Sequence, residues 1–183
     1  MNYADIKRID VANGPGVRVS LFVSGCHHHC KGCFNECAWD FGYGNKFDEN
    51  AKEKVINYMN HDYIKGLSLL GGEPLEPSNQ EGLLPLVKEV KEKFPDKTIW
   101  CYTGYDFQKD IVDGMNKTNP TTKELLKYID VVVDGKFDEN QKSPKLRFRG
   151  SANQRILDAQ ETIKEDKPVE IPSLYEKDRP TFK

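Results

Sequence analysis

Three cysteines lie close together near the amino terminus and are the residues best suited to hold a metal centre. Cys26, Cys30 and Cys33 fall within eight residues, in the stretch SGCHHHCKGCFN, with three histidines between the first two. The Cys-x₃-Cys-x₂-Cys spacing places three thiols on one short loop. Structural zinc more often uses two separated Cys-x₂-Cys pairs, and no second pair is found in this sequence.

Several metal chemistries agree with this spacing. A zinc ion could complete its ligand shell with Cys37 or with one of the histidines at 27–29, because His-rich tracts bind metals. The loop could also carry free thiols. An iron–sulfur cube normally has four thiolate ligands, so three cysteines would leave one iron open, as catalytic metal sites do. The spacing alone leaves these alternatives open.

Two further groups of polar residues follow strand-like segments. In LLGGEP, Gly71 and Gly72 let a backbone approach a ligand closely, and Glu73 can accept a hydrogen bond from an ammonium group. The other interpretation is a tight turn with Glu73 near a helix amino terminus. In VVVDGKF, Asp134 and Lys136 are either ligand-binding residues or a solvated charge pair in a turn.

The composition excludes some classes of function. The chain has 183 residues, of which 37% are hydrophobic and 31% charged, with a formal net charge of −2. Such a charge provides no field for attracting nucleic acid. No apolar run approaches the ~20 residues of a membrane span, and no signal pattern precedes the first strand. We therefore expect a cytoplasmic protein without a nucleic-acid or membrane partner, in which clustered cysteines bind metal or act in catalysis.

Hydrophobic patterns predict alternating strands and helices from about residue 17 to residue 137. Strands are expected over 17–25, GLSLLGG, KTIWCYTG and DVVVDGKF, with a possible fifth at LRFRGS. Helices are expected at FDENAKEKVINYMN, with Asp48 as N-cap, and at QEGLLPLVKEVKEKF, where Pro85 either fits the first turn or breaks the helix. Short helices are expected at DFQKDIVDGM and TTKELLKYI. This order predicts an α/β fold with a largely parallel sheet that has too few strands for a closed eight-stranded barrel. In such folds ligands bind at the carboxyl edge of the sheet, where the cysteine loop, GGEP, YTGY and DGKF all fall.

The motifs together resemble a known family. The cysteine loop after the first strand is similar to that of radical S-adenosylmethionine enzymes. More narrowly, NGPGVRVSLFVSGCHHHCKGCFNECAW, GLSLLGGEPLEP, IWCYTGY, VVVDGKF and RFRGSANQRILD resemble, in the same order, the activating proteins of anaerobic (class III) ribonucleotide reductases. The resemblance covers residues 3–158. It implies an incomplete TIM-like β/α barrel of the radical S-adenosylmethionine type, with one domain over residues 1–160 and a surface extension over 161–183.

The resemblance also implies cofactors and the residues that bind them. Cys26, Cys30 and Cys33 would hold one [4Fe–4S] cluster per chain, whose fourth iron binds the amino and carboxylate groups of S-adenosylmethionine. The residues expected to contact S-adenosylmethionine are Gly32, Cys33 and Phe34 on its adenosine part, Gly71, Gly72 and Glu73 on its amino group, and Asp134 and Lys136. The wider superfamily commonly has an aromatic residue before the third cysteine; here Gly32 stands there and the aromatic Phe34 follows, as suits the reductase-activating subgroup.

The implied function is the generation of a glycyl radical on an anaerobic ribonucleotide reductase. Cleavage of S-adenosylmethionine would yield a 5′-deoxyadenosyl radical, with flavodoxin or ferredoxin as electron donor. The alternatives are an activase for pyruvate formate-lyase, a radical enzyme acting on a small molecule, and a zinc-binding interaction protein without catalysis. The last leaves GGEP and DGKF without a role.

Overall fold

The computed structural model describes residues 1–175 and contains seven strands and a set of mostly short helices. The strands are β1 (Asn2–Asp10), β2 (Val17–Val23), β3 (Asn45–Lys46), β4 (Ile64–Gly71), β5 (Thr98–Tyr102), β6 (Val131–Asp134) and β7 (Arg155–Asp158). The α-helices are α1 (Glu49–Met59), α2 (Pro77–Lys93), α3 (Asn116–Thr118), α4 (Pro120–Leu125) and α5 (Ala159–Glu165), and a π-helix (Phe107–Met115) leads into α3. Single 3₁₀ turns cover Glu36–Trp39, Leu126–Tyr128, Glu139–Gln141 and Pro172–Leu174.

All seven strands form one sheet in the order β3-β1-β2-β4-β5-β6-β7. The central strands β2, β4, β5 and β6 are parallel, whereas β1, β3 and β7 pair antiparallel at the two sides. The prediction of an α/β fold with a largely parallel sheet is confirmed. The sheet is open rather than closed on itself, and the incomplete TIM-like barrel stays a prediction.

The two faces of the sheet have different cores because side chains alternate along each strand. In β5, Ile99 and Cys101 belong to the main core, which the helices cover. Trp100 belongs to a smaller cluster on the other face, with Phe148 packed against it. This second face carries the cleft described below. In the described part of the chain, no helix has both the length and the apolar character needed to cross a membrane.

Two local predictions were wrong, and one strand was not predicted. LRFRGS is not a strand; the antiparallel β7 follows it at Arg155–Asp158. Strand β1 escaped prediction because only Ile6 and Asp10 of its nine residues are buried, so it lacks an apolar face. Helix α2 begins at Pro77, so Pro85 lies in its interior, where its ring faces solvent.

The expected surface extension begins inside α5. Thr162 of this helix is buried, and its hydroxyl accepts a hydrogen bond from the backbone of Val169. Further on, Ile171, Leu174 and Tyr175 pack against the smaller cluster on the sheet. Residues 161–175 therefore contact the sheet, while the rest of the expected extension, residues 176–183, lies outside the described residues.

Candidate functional site

The cysteine loop leaves the carboxyl end of β2 and forms one end of a large cleft. Cys26, Cys30 and Cys33 all line this cleft, which has a volume of about 1040 Å³. The loop is tied to the chain that follows it, because the backbone N–H of Cys26 donates to the carbonyl of Trp39 at 3.1 Å. The sequence prediction that these thiols share one site is consistent with this placement.

The surroundings of the three thiols differ. Burial raises the pKa of the Cys26 thiol to about 11, although hydrogen bonds from the backbones of His28 and His29 act in the opposite direction. Cys30 and Cys33 are partly exposed, and the backbone N–H of Asn35 donates to Cys33 Sγ at 3.4 Å. Within residues 1–175, no three Cys, His, Asp or Glu side chains converge as they do around a single metal ion. Three thiols beside a roomy cleft are the donor set that an iron–sulfur cluster with one open iron requires.

The Gly-Gly-Glu turn at the end of β4 packs directly against the base of the cysteine loop. The N–H of Gly72 donates to Val23 O at 2.7 Å, and that of Glu73 donates to Gly25 O at 2.8 Å. A Cβ on Gly72 would lie 2.6 Å from Gly25 O and 2.8 Å from Ala38 O. Gly72 is therefore required by the approach of two backbone segments, whether or not a ligand binds beside it.

The carboxylate of Glu73 is buried and links three segments. Its Oε1 accepts from the N–H of Leu75 at 2.8 Å, and its Oε2 accepts from the N–H of Gly104 at 2.7 Å. His28 Nε2 lies 3.1 Å from the same Oε2 and donates to it. Glu73 thus connects the cysteine loop, its own turn and the end of β5. A carboxylate has about four acceptor positions, so these three bonds leave one for a further donor.

The family resemblance also implies that His28 lines the site or hydrogen-bonds a sulfur, whereas its contact with Glu73 was not predicted. The side chain of His28 is 10% exposed and lines the cleft. The ring stands edge-on to Tyr105, with 4.5 Å between ring centroids. A Cβ on Gly104 would come within 2.8 Å of His28 Nε2, so the glycine of YTGY leaves room for this ring. The contact itself has no signal in the sequence, because Glu73 lies 45 positions away.

Gly32 and Phe34 lie on the cleft wall next to the third cysteine. Gly32 adopts a φ of 72°, in the left-handed region that glycine accepts readily. Phe34 lines the cleft although its side chain is 81% exposed. An aromatic ring held this far from the core is available to stack on a ligand.

Asp134 and Lys136 take different positions from the other predicted site residues. Asp134 is buried at the end of β6, where both carboxylate oxygens accept hydrogen bonds from Arg155 and Oδ2 also accepts from the N–H of Phe107. Lys136 is exposed. Of these three consecutive residues, Gly135 lines the cleft, whereas Asp134 and Lys136 do not.

The remaining cysteines and histidines have simpler surroundings. Cys101 is a buried core residue, and burial raises its pKa well above the usual value. Cys37 is exposed, and its thiol donates to Asn35. His27 is exposed and lies 3.0 Å from the carboxylate of Glu76, whereas His29 stacks on Trp39.

Two further segments that sequence analysis did not assign to a site also line the cleft. One is the turn over residues 11–17, before β2, and the other is residues 142–150, before β7. Tyr102 and Gln154 line the cleft between them.

Comparison with known proteins agrees with the cysteine chemistry. A family model described as a 4Fe-4S single cluster domain matches residues 12–157. Three relatives are each named "Anaerobic ribonucleoside-triphosphate reductase-activating protein". The protein of Haemophilus influenzae is 48% identical over 158 residues, covering 85% of this chain and 97% of that protein. The enterobacteria phage T4 protein is 45% identical over 156 residues (85% and 93%), and the Escherichia coli K12 protein is 40% identical over 158 residues (85% and 97%). The chain therefore belongs to the family of anaerobic ribonucleoside-triphosphate reductase-activating proteins, which contain a 4Fe-4S single cluster domain.

Proposed function

We propose that this protein generates a glycyl radical on an anaerobic ribonucleotide reductase, using one [4Fe–4S] cluster and S-adenosylmethionine. When bound, such a cluster would supply the single electron needed to cleave S-adenosylmethionine, and the resulting radical chemistry would remove a hydrogen atom from a backbone glycine of the reductase. The relatives' names support the choice of partner. In this proposal the fold is the incomplete β/α barrel of the radical S-adenosylmethionine type and the protein acts in the cytoplasm.

Cys26, Cys30 and Cys33 are the residues that would hold the cluster. Their thiols line the same cleft and lie on one loop whose base is bonded to the following chain. Binding requires the thiolate form, and the raised pKa of Cys26 means that cluster assembly must release its proton. Three protein ligands leave one iron open for the amino and carboxylate groups of S-adenosylmethionine.

Glu73 is the residue proposed to bind the amino group of S-adenosylmethionine. Its carboxylate lines the cleft, is 1% exposed and is fixed by three donors from the protein. A buried carboxylate with one remaining acceptor position suits an ammonium group. Gly71 and Gly72 place this turn against the cysteine loop, which keeps the proposed amino-group and cluster sites adjacent.

Gly32, Cys33 and Phe34 are proposed to contact the adenosine part. The support is that all three line the cleft at the third cysteine and that Phe34 has an exposed aromatic face. Asp134 is engaged with Arg155, so a direct contact of Asp134 with the cofactor would require that ion pair to open. The role of Asp134 and Lys136 would then be indirect, through Gly135 between them, which does line the cleft.

The chemistry needs no general base from the protein, because a hydrogen atom and not a proton is transferred. What the protein must provide is an electron path and exclusion of water. Flavodoxin or ferredoxin is the proposed donor of the electron. We propose that residues 11–17 and 142–150, which also line the cleft, contact a partner that covers the site.

The single observation that carries the proposal is the convergence of the three thiols, the Gly-Gly-Glu turn and Phe34 on one cleft of about 1040 Å³. The test is anaerobic reconstitution with iron and sulfide, reduction by dithionite, addition of S-adenosylmethionine and detection of 5′-deoxyadenosine. The Cys30→Ala variant is the control and should yield none. A colourless wild-type protein that takes up about one zinc per chain, no iron, and forms no 5′-deoxyadenosine would overturn the proposal in favour of a zinc-binding module.

A further inference from the structure

Part of the cleft wall is rich in positive charge. Residues 142–150, here called the basic segment, contain Lys142, Lys145, Arg147 and Arg149 and no acidic residue, in a chain whose net charge is −2. Lys142, Arg147 and Arg149 line the cleft. Glu73 is the carboxylate among the described lining residues, and it lies at the cysteine end with three protein donors already bound. The described lining of the cleft therefore carries more cationic side chains than carboxylates.

A buried arginine adds to this charge from below. Arg18 is 1% exposed and donates to Ser68, Thr98 and the carbonyl of Leu67, which are neutral acceptors. Burial lowers its pKa to about 10, so it remains charged at neutral pH. Gly14 of the cleft wall lies directly over it, since a Cβ there would be 2.7 Å from Arg18 Cδ. Asp10 and Asp130 interact electrostatically with Arg18 and offset part of its charge, and the remaining positive charge acts on an occupant of the cleft.

The basic segment is held in place. The side chain of Gln154 accepts from the N–H groups of Gly150 and Ser151 and donates to Gly135 O at 2.9 Å. Phe148 has a φ of 57°, a conformation that costs energy for a bulky residue, and its ring packs edge-on against Trp100 at 5.6 Å. Strained backbone that is firmly supported is common at binding sites. Because the segment is ordered before binding, less entropy is lost when a partner docks.

The lining formed by the basic segment and residues 11–17 suits a polypeptide better than a small anion. Uncharged residues 11–17 form one wall, with Val11 67% exposed, and Leu146 and Phe148 lie among the cations of the other wall. Apolar side chains interleaved with cations can contact both the apolar and the acidic side chains of an extended segment. The same cleft continues to the cysteine loop, where the proposed radical chemistry would reach a backbone glycine.

We propose that the basic segment and the turn over residues 11–17 form a docking surface for an acidic, extended segment of the partner reductase, which they guide toward the cysteine end of the cleft. This inference rests on the proposed function for the identity of the partner. Its recognition chemistry is electrostatic attraction to carboxylates combined with apolar contact.

The test is the association rate between the cluster-loaded protein and the reductase, measured anaerobically by stopped-flow or biosensor at several salt concentrations. Lys142→Glu/Lys145→Glu reverses two exposed charges of the basic segment. We expect it to slow association by about tenfold or more and to flatten the salt dependence, since peripheral charges act mainly on the association rate. Lys142→Gln/Lys145→Gln should lie between the two. Lys54→Glu/Lys123→Glu makes the same charge change on α1 and α4, which cover the opposite face of the sheet, and should slow association much less.

Two outcomes would overturn the inference. One is an association rate of Lys142→Glu/Lys145→Glu equal to that of Lys54→Glu/Lys123→Glu. The other is an unchanged rate combined with loss of binding of inorganic tripolyphosphate, which would assign the basic segment to a small anion. Formation of 5′-deoxyadenosine without the reductase separates this inference from the proposed function. If wild type forms none, the proposed function fails; if the Lys142→Glu/Lys145→Glu variant forms a normal amount but docks slowly, the docking surface stands.

Discussion

Replacing His28 by alanine tests how the cysteine loop is held against the rest of the site. His28 Nε2 donates to the buried carboxylate of Glu73 at 3.1 Å, and its ring packs edge-on against Tyr105 at 4.5 Å. No other side chain of the loop reaches Glu73 in the part of the chain that the structure describes. His28→Ala removes both contacts at once.

The expected loss of stability follows from these two contacts. A hydrogen bond to a charged group contributes about 1.5–3 kcal/mol, and an aromatic edge contact about 0.5–1.5 kcal/mol. Glu73 keeps the N–H groups of Leu75 and Gly104, so its charge does not become unpaired. We therefore expect His28→Ala to lower the free energy of unfolding of the cluster-free protein by about 2–4 kcal/mol. His28→Gln, which can still donate to Glu73, should lose about 1 kcal/mol.

Denaturant unfolding under anaerobic conditions measures these values, and Gly104→Ala provides an independent check. A Cβ at Gly104 would press on the His28 ring, so Gly104→Ala should destabilise the wild-type protein but cost almost nothing in the His28→Ala background. The reasoning is refuted if His28→Ala unfolds within about 0.5 kcal/mol of wild type, or if the two substitutions are additive.

Three further outcomes follow from the same structure. Burial raises the pKa of Cys26 from 9.0 to about 11, so the folded state keeps the thiol proton to a higher pH than the unfolded state does. The contribution of this thiol to the free energy of unfolding is complete below pH 9 and is lost as the pH rises toward 11. Cys26→Ala should remove that part of the pH dependence in denaturant unfolding of the cluster-free protein. Asp134→Asn should lower the free energy of unfolding by about 2–4 kcal/mol, because it breaks the bidentate ion pair with the partly exposed Arg155. Normal stability in denaturant unfolding, together with weakened binding of S-adenosylmethionine, would instead support a direct role of Asp134 in cofactor binding. Phe34→Ala should leave the free energy of unfolding within about 0.5 kcal/mol of wild type, since Phe34 is 81% exposed. It should weaken the affinity for S-adenosylmethionine, measured by calorimetry, about two- to tenfold. An unchanged affinity would show that Phe34 is not part of the adenosine site.

The central fold was predictable because its signals are local. Strands β2, β4 and β5 are apolar runs bounded by turn residues, and α1 has both its apolar face and its cap at Asp48. Strand β1 was not predictable in this way, because it gains its place by pairing with β2 and leaves most of its side chains exposed. The π form of the helix over Phe107–Met115 and the position of Pro85 inside α2 likewise depend on tertiary packing rather than on the hydrophobic pattern.

For the site too, residues that are close in sequence were predictable, whereas contacts between distant positions were not. Spacing alone was enough to single out Cys26, Cys30 and Cys33, since metal-binding thiols on one loop are local in sequence. The bond between His28 and Glu73 spans 45 positions, and the pair of Asp134 and Arg155 spans 21, so neither is visible until the chain is folded. The sequence also could not show that the basic segment lines the same cleft as the cysteines.

The most direct test of the central claim is an electron paramagnetic resonance spectrum of the complete reaction. The reduced, cluster-loaded protein is mixed anaerobically with S-adenosylmethionine and the anaerobic reductase, and the spectrum is recorded after the reductase has been separated. The account predicts a glycyl-radical doublet on the reductase with wild-type protein and no signal with Cys30→Ala. A reductase that carries no radical, although the wild-type protein binds an iron–sulfur cluster and forms 5′-deoxyadenosine, would contradict it.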